Sequence, residues 1–304
     1  MTRLLTLSDA LETHARLSPD KIGARDSTRS LTYAQWNSRA SQLASGLLAT
    51  GLKPGDRIGI LATNCIEWLE IYVGLARAGL VAVPVNFRLQ AAEVGYILRD
   101  CGAGAVIAGE AFCSVIDEVA GELNFPVNRM ISLRRETCTG WTQYERIVSQ
   151  APDNDRFELI DPEAISALMY TSGTTGRPKG VVRSHAGTAL IALATALEVG
   201  FSGEDTALLV MPLCHANSLY FGATFIHLGA SIIVDDQPGF DPVRFLNLMT
   251  TQQVTFTSLV PTHCVMVLGL PEQVTQEYDL SRVGKIMMSS APARRETKLA
   301  MMQL

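Results

Sequence analysis

The run Tyr170-Thr171-Ser172-Gly173-Thr174-Thr175-Gly176-Arg177-Pro178-Lys179-Gly180 gathers hydroxyls, glycines and a lysine into one short stretch. Its chemistry is that of a polyphosphate cradle. Glycines let the backbone take positive φ and bring N–H groups close to an anion with no Cβ in the way. Ser172, Thr174 and Thr175 add hydroxyl donors, and Lys179 adds a mobile positive charge. The run follows an apolar, strand-like segment, 164–170, and precedes a helical one, 188–199. A loop between strand and helix is where α/β folds hold phosphates. This is not the common P-loop, which needs a glycine before its lysine and a Ser or Thr after it. Here Pro178 precedes Lys179 and Gly180 follows. An ordinary Gly/Thr-rich turn is the plain alternative, and the flanking context favours the phosphate site.

The elements that must position such a loop follow an α/β rhythm. Apolar runs of strand length alternate with longer helical patterns throughout the chain. Strands are expected at 57–61, 80–83, 105–108 and 127–132, with helices at 64–78 and 89–98. In helix 64–78, Ile66, Leu69, Val73 and Ala76 recur at helical spacing. The polar stretch 150–156 interrupts the pattern and is the expected boundary between two α/β subdomains, 1–156 and 157–304. Beyond it, strands are expected at 165–170, 207–211, 231–234, 254–257 and 285–289. Helices are expected at 188–199, 218–227, 242–251 and 262–268. Helix 189–199, the most apolar, is too short to cross a bilayer and is expected to lie buried beneath the phosphate loop.

Composition narrows the function classes. With 304 residues and 47% hydrophobic content, the chain is long enough for two cores of ordinary size. A net charge of −5 and no basic stripe argue against nucleic acid as a main partner. The six cysteines show no CxxC pairing, which gives neither a zinc site nor a secreted disulfide framework. Residues 1–8 lack the apolar core and cleavage site of a signal peptide. A reducing cytoplasm is the simplest setting.

The run at 170–180 resembles the phosphate-binding loop of the adenylate-forming superfamily: acyl-CoA synthetases, adenylation domains of peptide synthetases, and luciferases. Leu31-Thr32-Tyr33, segments 55–60 and 78–86, Met211-Pro212-Leu213-Cys214-His215 and Val260-Pro261-Thr262 are similar to further motifs of that family. Ser289-Ser290-Ala291-Pro292 resembles its adenine-side strand, where the family more often has a glycine. The likeness covers nearly the whole chain and implies the amino-terminal part of that fold, two stacked, mostly parallel sheets with flanking helices. The family usually continues into a Thr-Glu motif for ATP and Mg²⁺, a ribose-binding Asp, a hinge and a small mobile domain with a catalytic lysine. None of these is found up to Leu304, and a separate carboxyl-terminal half is one expectation.

The resemblance implies ATP-dependent activation of a carboxylic acid as acyl-adenylate, then transfer to coenzyme A. It implies catalytic roles for Thr171 and Lys179. Nucleotide contacts fall to Thr171, Ser172, Gly173, Thr174, Thr175, Gly176, Lys179, Ser290, Ala291 and Pro292. It places His215, Asn217 and Ser218 at the acyl pocket, with no metal ligands in the chain. Where amino-acid adenylation domains carry an aspartate for the substrate ammonium, this chain reads Cys214-His215-Ala216-Asn217-Ser218-Leu219, with no acid. A buried unpaired ammonium is costly, so a fatty, aryl or similarly apolar carboxylate is expected. The rival expectation is a non-catalytic remnant that binds nucleotide or acyl-adenylate, or an interaction module. Of the other histidines, His185 reads as a turn or cap residue, and His14, His227 and His263 have no assigned chemistry.

Overall fold

The computed structural model describes residues 6–133, 138–153, 157–171 and 177–304. Its strands in chain order are β1 (Ile22–Arg25), β2 (Ser30–Thr32), β3 (Arg57–Leu61), β4 (Val81–Pro84), β5 (Ala103–Ala108), β6 (Met130–Ser132) and β7 (Thr142–Gln143). There follow β8 (Ile165–Thr171), β9 (Lys179–Ser184), β10 (Thr206–Leu209), β11 (Ser231–Val234), β12 (Phe256–Leu259) and β13 (Lys285–Met288). They form one sheet in the order β13-β12-β10-β11-β1-β2 and a second in the order β7-β6-β5-β3-β4-β8-β9. Both are parallel apart from one antiparallel pair each, β1 with β2 and β8 with β9.

The two sheets share a core. Helix Glu67–Ala78 is buried from Trp68 to Ala78, Glu70 and Arg77 included, a continuous run rather than a stripe, because it packs on several sides at once. Helix Tyr33–Ala49 lies against it, with Trp36, Leu43 and Leu47 fully buried. The same core contains Ile58 and Ile60 of one sheet and Leu209, Ile232 and Phe256 of the other. Each large side chain buried there contributes about 1.5–3 kcal/mol. The outer face of the seven-stranded sheet is covered by helices Ala91–Asp100 and Cys113–Leu123. That of the six-stranded sheet is covered by Pro242–Thr251 and Pro261–Leu268. One buried acid is fully compensated: Glu70 meets Arg29 at 2.7 Å and Arg39 at 3.0 Å, and Tyr144 donates to it at 2.8 Å. Removing one member would strand a charge, so the cluster is scaffold.

Several expectations need revision. The break near 156 separates two stretches of chain, yet each sheet draws strands from both: β1 and β2 join the later strands, and β8 and β9 the earlier ones. The phosphate run connects two antiparallel strands rather than a strand and a helix, since residues 179–184 form β9 before the helix begins. Pro178 and Gly180 mask that strand in the sequence. Helix His185–Val199 is not buried: Ala189, Ala192 and Ala196 face inward, while Leu190 and Leu197 are 66% and 85% exposed. Its apolar residues run all round the helix, so composition alone hid the asymmetry. Cys113 and Cys138, 25 residues apart, are joined as a disulfide that no short-range cysteine spacing announces. Among the described residues, no helix is long and apolar enough to cross a membrane.

Candidate active site

Strand order locates the crevice. From β10 the chain crosses to its neighbour β11, then passes back over β10 to β12 and continues outward to β13. The direction of winding therefore reverses between β10 and β12, and ligands of such sheets bind outside the strands' carboxyl ends at that reversal. Residues 210–218 leave β10 at this point, and Ser258 and Ser289 lie at the ends of β12 and β13.

The segment 211–215 is held from three sides. Asn64, just past β3, donates to the carbonyls of Met211 at 3.1 Å and Asp235 at 3.3 Å. Its side-chain oxygen accepts from the Leu213 N–H at 2.8 Å. Tyr72 donates to the Leu213 carbonyl at 3.0 Å, and Ser218 to that of Met211 at 2.8 Å. One amide thus ties the carboxyl end of a strand in one sheet to the ends of two in the other. Asp235 itself is gripped by Arg244 through two bonds of 3.0 and 3.1 Å, and Asp236 accepts from Ser27 at 2.6 Å.

His215 caps helix Ala216–Leu228 with extended backbone, and its ring opens to solvent on one side. Desolvation by the surrounding protein, then the cation of Arg88, hold its pKa below the usual value. The ring is neutral near pH 7. Arg88 lies over the Phe87 ring at 5.7 Å, in the loop leaving β4, so the carboxyl ends of both sheets converge on this segment. Burial pushes the adjacent Cys214 thiol up to about 11, which leaves it protonated and a poor nucleophile. Asn217 donates to the hydroxyls of Ser258 at 3.1 Å and Ser289 at 2.8 Å, tying the start of the helix to the ends of β12 and β13. Beyond Ser289, Ser290 has φ of 68°, the left-handed region that glycine takes without strain. Ala291 and Pro292 follow on an exposed turn. The departure from a glycine-bearing segment is therefore one of residue type, not of backbone conformation.

The phosphate run springs from a hairpin. Thr171 of β8 pairs directly with Lys179 of β9, both exposed, so the two expected catalytic groups flank its mouth. Ser172, Gly173, Thr174, Thr175 and Gly176 lie outside the described residues. Helix Ala91–Asp100 ties down both arms: the Tyr170 hydroxyl donates to Asp100 at 2.5 Å, and Tyr96 donates to the Pro178 carbonyl at 3.3 Å. Gly180, the cross-strand partner of Tyr170, has no side chain because a Cβ there would sit 3.2 Å from that ring.

The sequence-expected residues thus form two groups, Thr171 with Lys179, and His215, Asn217 and Ser218 with the start of the 289–292 turn. Sequence reasoning missed Asn64, Arg88 and Ser258. Each sits at or just beyond the carboxyl end of a strand, and that position is the signal that would have found them. The remaining histidines are structural. His185 follows the Ser184 cap and is buried, His227 bonds the Ala223 carbonyl at 2.7 Å, and His263 stacks on Phe240 with ring centroids 4.0 Å apart. His14 contacts the His227 carbonyl at 3.0 Å. Among the described residues, no group of three or more His, Cys, Asp or Glu side chains is placed to hold a metal ion. The donor set does not by itself fit a magnesium site.

A doubly wound α/β chain thus brings a Gly/Thr-rich hairpin and a polar crevice to the carboxyl ends of its strands. The family model described as AMP-binding enzyme matches residues 11–304, and the chain belongs to that family. It is 33% identical to the long-chain-fatty-acid–CoA ligase FadD13 of Mycobacterium tuberculosis over 80% of this chain and 46% of that one. It is 30% identical to a feruloyl-CoA synthase of Amycolatopsis over 91% of this chain and 53% of the relative. The chain spans about half the length of these curated relatives. The anthranilate CoA ligase AuaEII, solved with anthranoyl-AMP, shares the fold with a TM-score of 0.92 at 23% identity, over 98% of this chain and 57% of that one. The N-terminal domain of FACL13 from Mycobacterium tuberculosis superposes with a TM-score of 0.85 at 27% identity, over 98% of this chain and 73% of that one.

Two outcomes follow from this geometry. Asn64→Ala removes three hydrogen bonds and is expected to destabilise the fold by about 2–3 kcal/mol in urea unfolding. A loss under about 0.5 kcal/mol would show that the clamp is not structural. His185 is buried with Nε2 unpartnered among the described residues, and desolvation lowers its pKa. Below about pH 6.5 the unfolded chain takes up a proton that the folded one resists, so stability falls as pH drops. The urea midpoint is expected to be lower at pH 6 than at pH 7.5, and His185→Gln to narrow that gap. An unchanged gap in the variant would assign the effect elsewhere.

Proposed function

We propose that the chain serves ATP-dependent activation of a carboxylic acid as acyl-adenylate, with transfer to coenzyme A as the second step. The observation that carries this reading is the convergence of both sheets' carboxyl ends on segment 211–218. A carboxylate is a poor acyl electrophile. Its oxygen attacks the α-phosphorus, the bond to the bridging oxygen breaks, and pyrophosphate leaves with the electron pair. The thiol sulfur then attacks the acyl carbon and AMP departs. The first step needs alignment of two anions and neutralisation of charge on the leaving group rather than a general base. Thr171 to Gly176 and Lys179 supply donors for that, each charge-assisted bond contributing about 1.5–3 kcal/mol. Ser290, Ala291 and Pro292 offer the purine a surface free of bulky side chains, and His215, neutral and beside Arg88, shapes the path to the acid. Carboxylate, ATP and coenzyme A are the partners in this reading, and the cytoplasm is its setting. Magnesium would neutralise phosphate charge when bound.

A second reading is that the chain binds nucleotide or acyl-adenylate without completing the reaction alone. The apolar face of helix His185–Val199, with Leu190 and Leu197 open, together with Val181 and Val182 on β9, favours it. Exposed apolar area of this kind marks a surface that a further segment or partner covers.

Carboxylate-dependent pyrophosphate release by the chain, with ATP, Mg²⁺ and a panel of fatty, aryl and short acids, separates the two. Release above background, lowered at least tenfold by Lys179→Ala, is expected from the first reading. No release from folded protein would favour the second. Unchanged kinetics in the variant would remove Lys179 from the mechanism.

A further inference from the structure

The wall of the crevice changes character within one helical turn. Asn217, Phe221 and Phe225 stand at positions i, i+4 and i+8 of helix Ala216–Leu228, on one stripe. Facing them on β12 are Ser258 and, two residues deeper on the same face, Phe256. At the mouth, Asn217 meets Ser258 and Ser289. Immediately below, the Phe221 and Phe256 rings lie 4.7 Å apart, Phe225 and Phe256 5.4 Å, and Phe201 closes on Phe256 at 4.7 Å. All four rings are buried. Phenyl groups therefore fill the space between helix and sheet directly below Asn217.

The mouth is also short of one hydrogen bond. Asn217 Oδ1 is buried and has no partner among the described residues, although the amide's NH₂ makes two bonds. Turning the amide over lets its oxygen accept from both serines and moves the deficit to the NH₂ group. In either orientation one polar atom lacks a partner, and a buried unpaired polar group is costly. A hydroxyl, both donor and acceptor, satisfies either case.

We propose that the acid taken by this crevice is compact and carries a hydroxyl that Asn217 recognises, in place of a long unsubstituted chain. The proposal rests on the acyl-adenylate reading and deepens it. It narrows the expectation of an apolar carboxylate: the apolar side chains next to Asn217 are packed against one another, and the polar atom there that lacks a partner belongs to an amide. A site built to hydrogen-bond a hydroxyl discriminates against the analogue lacking it because the site's own polar atom is then left unpaired.

Titration calorimetry of the chain with acylsulfamoyl adenosines, stable mimics of acyl-adenylates, tests it. The acyl groups are butanoyl, β-hydroxybutanoyl, γ-hydroxybutanoyl and dodecanoyl. One of the hydroxylated pair is expected to bind about tenfold or more tightly than butanoyl, and dodecanoyl more weakly than either. In Asn217→Leu, checked for folding by circular dichroism, the hydroxylated and butanoyl forms are expected to bind equally. The wild-type ranking needs no variant and stands by itself. Equal binding of butanoyl and both hydroxylated forms, or tightest binding of dodecanoyl, overturns this proposal and leaves the acyl-adenylate reading intact. Binding of none of the four overturns both.

Discussion

The side-chain amide of Asn64 is the interaction on which the rest of the site depends. It lies past the end of β3 in one sheet and holds the backbone at Met211, Leu213 and Asp235, which leave β10 and β11 of the other. Two twisted sheets packed through buried helices have no intrinsic reason to bring their strand ends into register. Shared core burial is non-directional and sets how close the layers lie, not where individual loops meet. Three directional bonds from one residue supply that alignment. Segment 211–218 then has a fixed course, and His215, Asn217 and Ser218 inherit their positions from it.

The same logic applies at the phosphate hairpin. Its arms stay paired to Thr171 and Lys179, and helix Ala91–Asp100 restrains both through Asp100 and Tyr96. Anchoring these two arms fixes the ends of the hairpin and lowers their conformational freedom. Arg88 and Phe87 leave β4, the strand between the hairpin and the core of the seven-stranded sheet, and reach His215. One loop of the scaffold thus links the strand beside the hairpin to segment 211–218.

Much of this was legible in the sequence. The α/β alternation, the phosphate run and the segment His215–Ser218 all stand out, because apolar periodicity and glycine–hydroxyl clusters are local signals. What was not legible depends on pairing across distance. β9 is disguised by Pro178 and Gly180, and only its pairing with β8 makes it a strand. Asn64 and Ser258 are ordinary polar residues until topology puts them at neighbouring strand ends. Asp235 gains its partner Arg244 only when helix Pro242–Thr251 packs beside β11. Helix His185–Val199 is apolar on every side, so no periodicity distinguishes the face on the core from the face left open. The disulfide between Cys113 and Cys138 has the same origin, in a loop and a helix start that meet only in the fold.

In the proposed function, nucleotide and acid are held together at the carboxyl ends of the two sheets. Hydrogen–deuterium exchange of the chain with and without an acylsulfamoyl adenosine tests it most directly. The account requires protection to appear together in peptides covering 171–180, 211–218 and 289–292. Protection confined to the outer helices, or in one of these segments without the others, would contradict it.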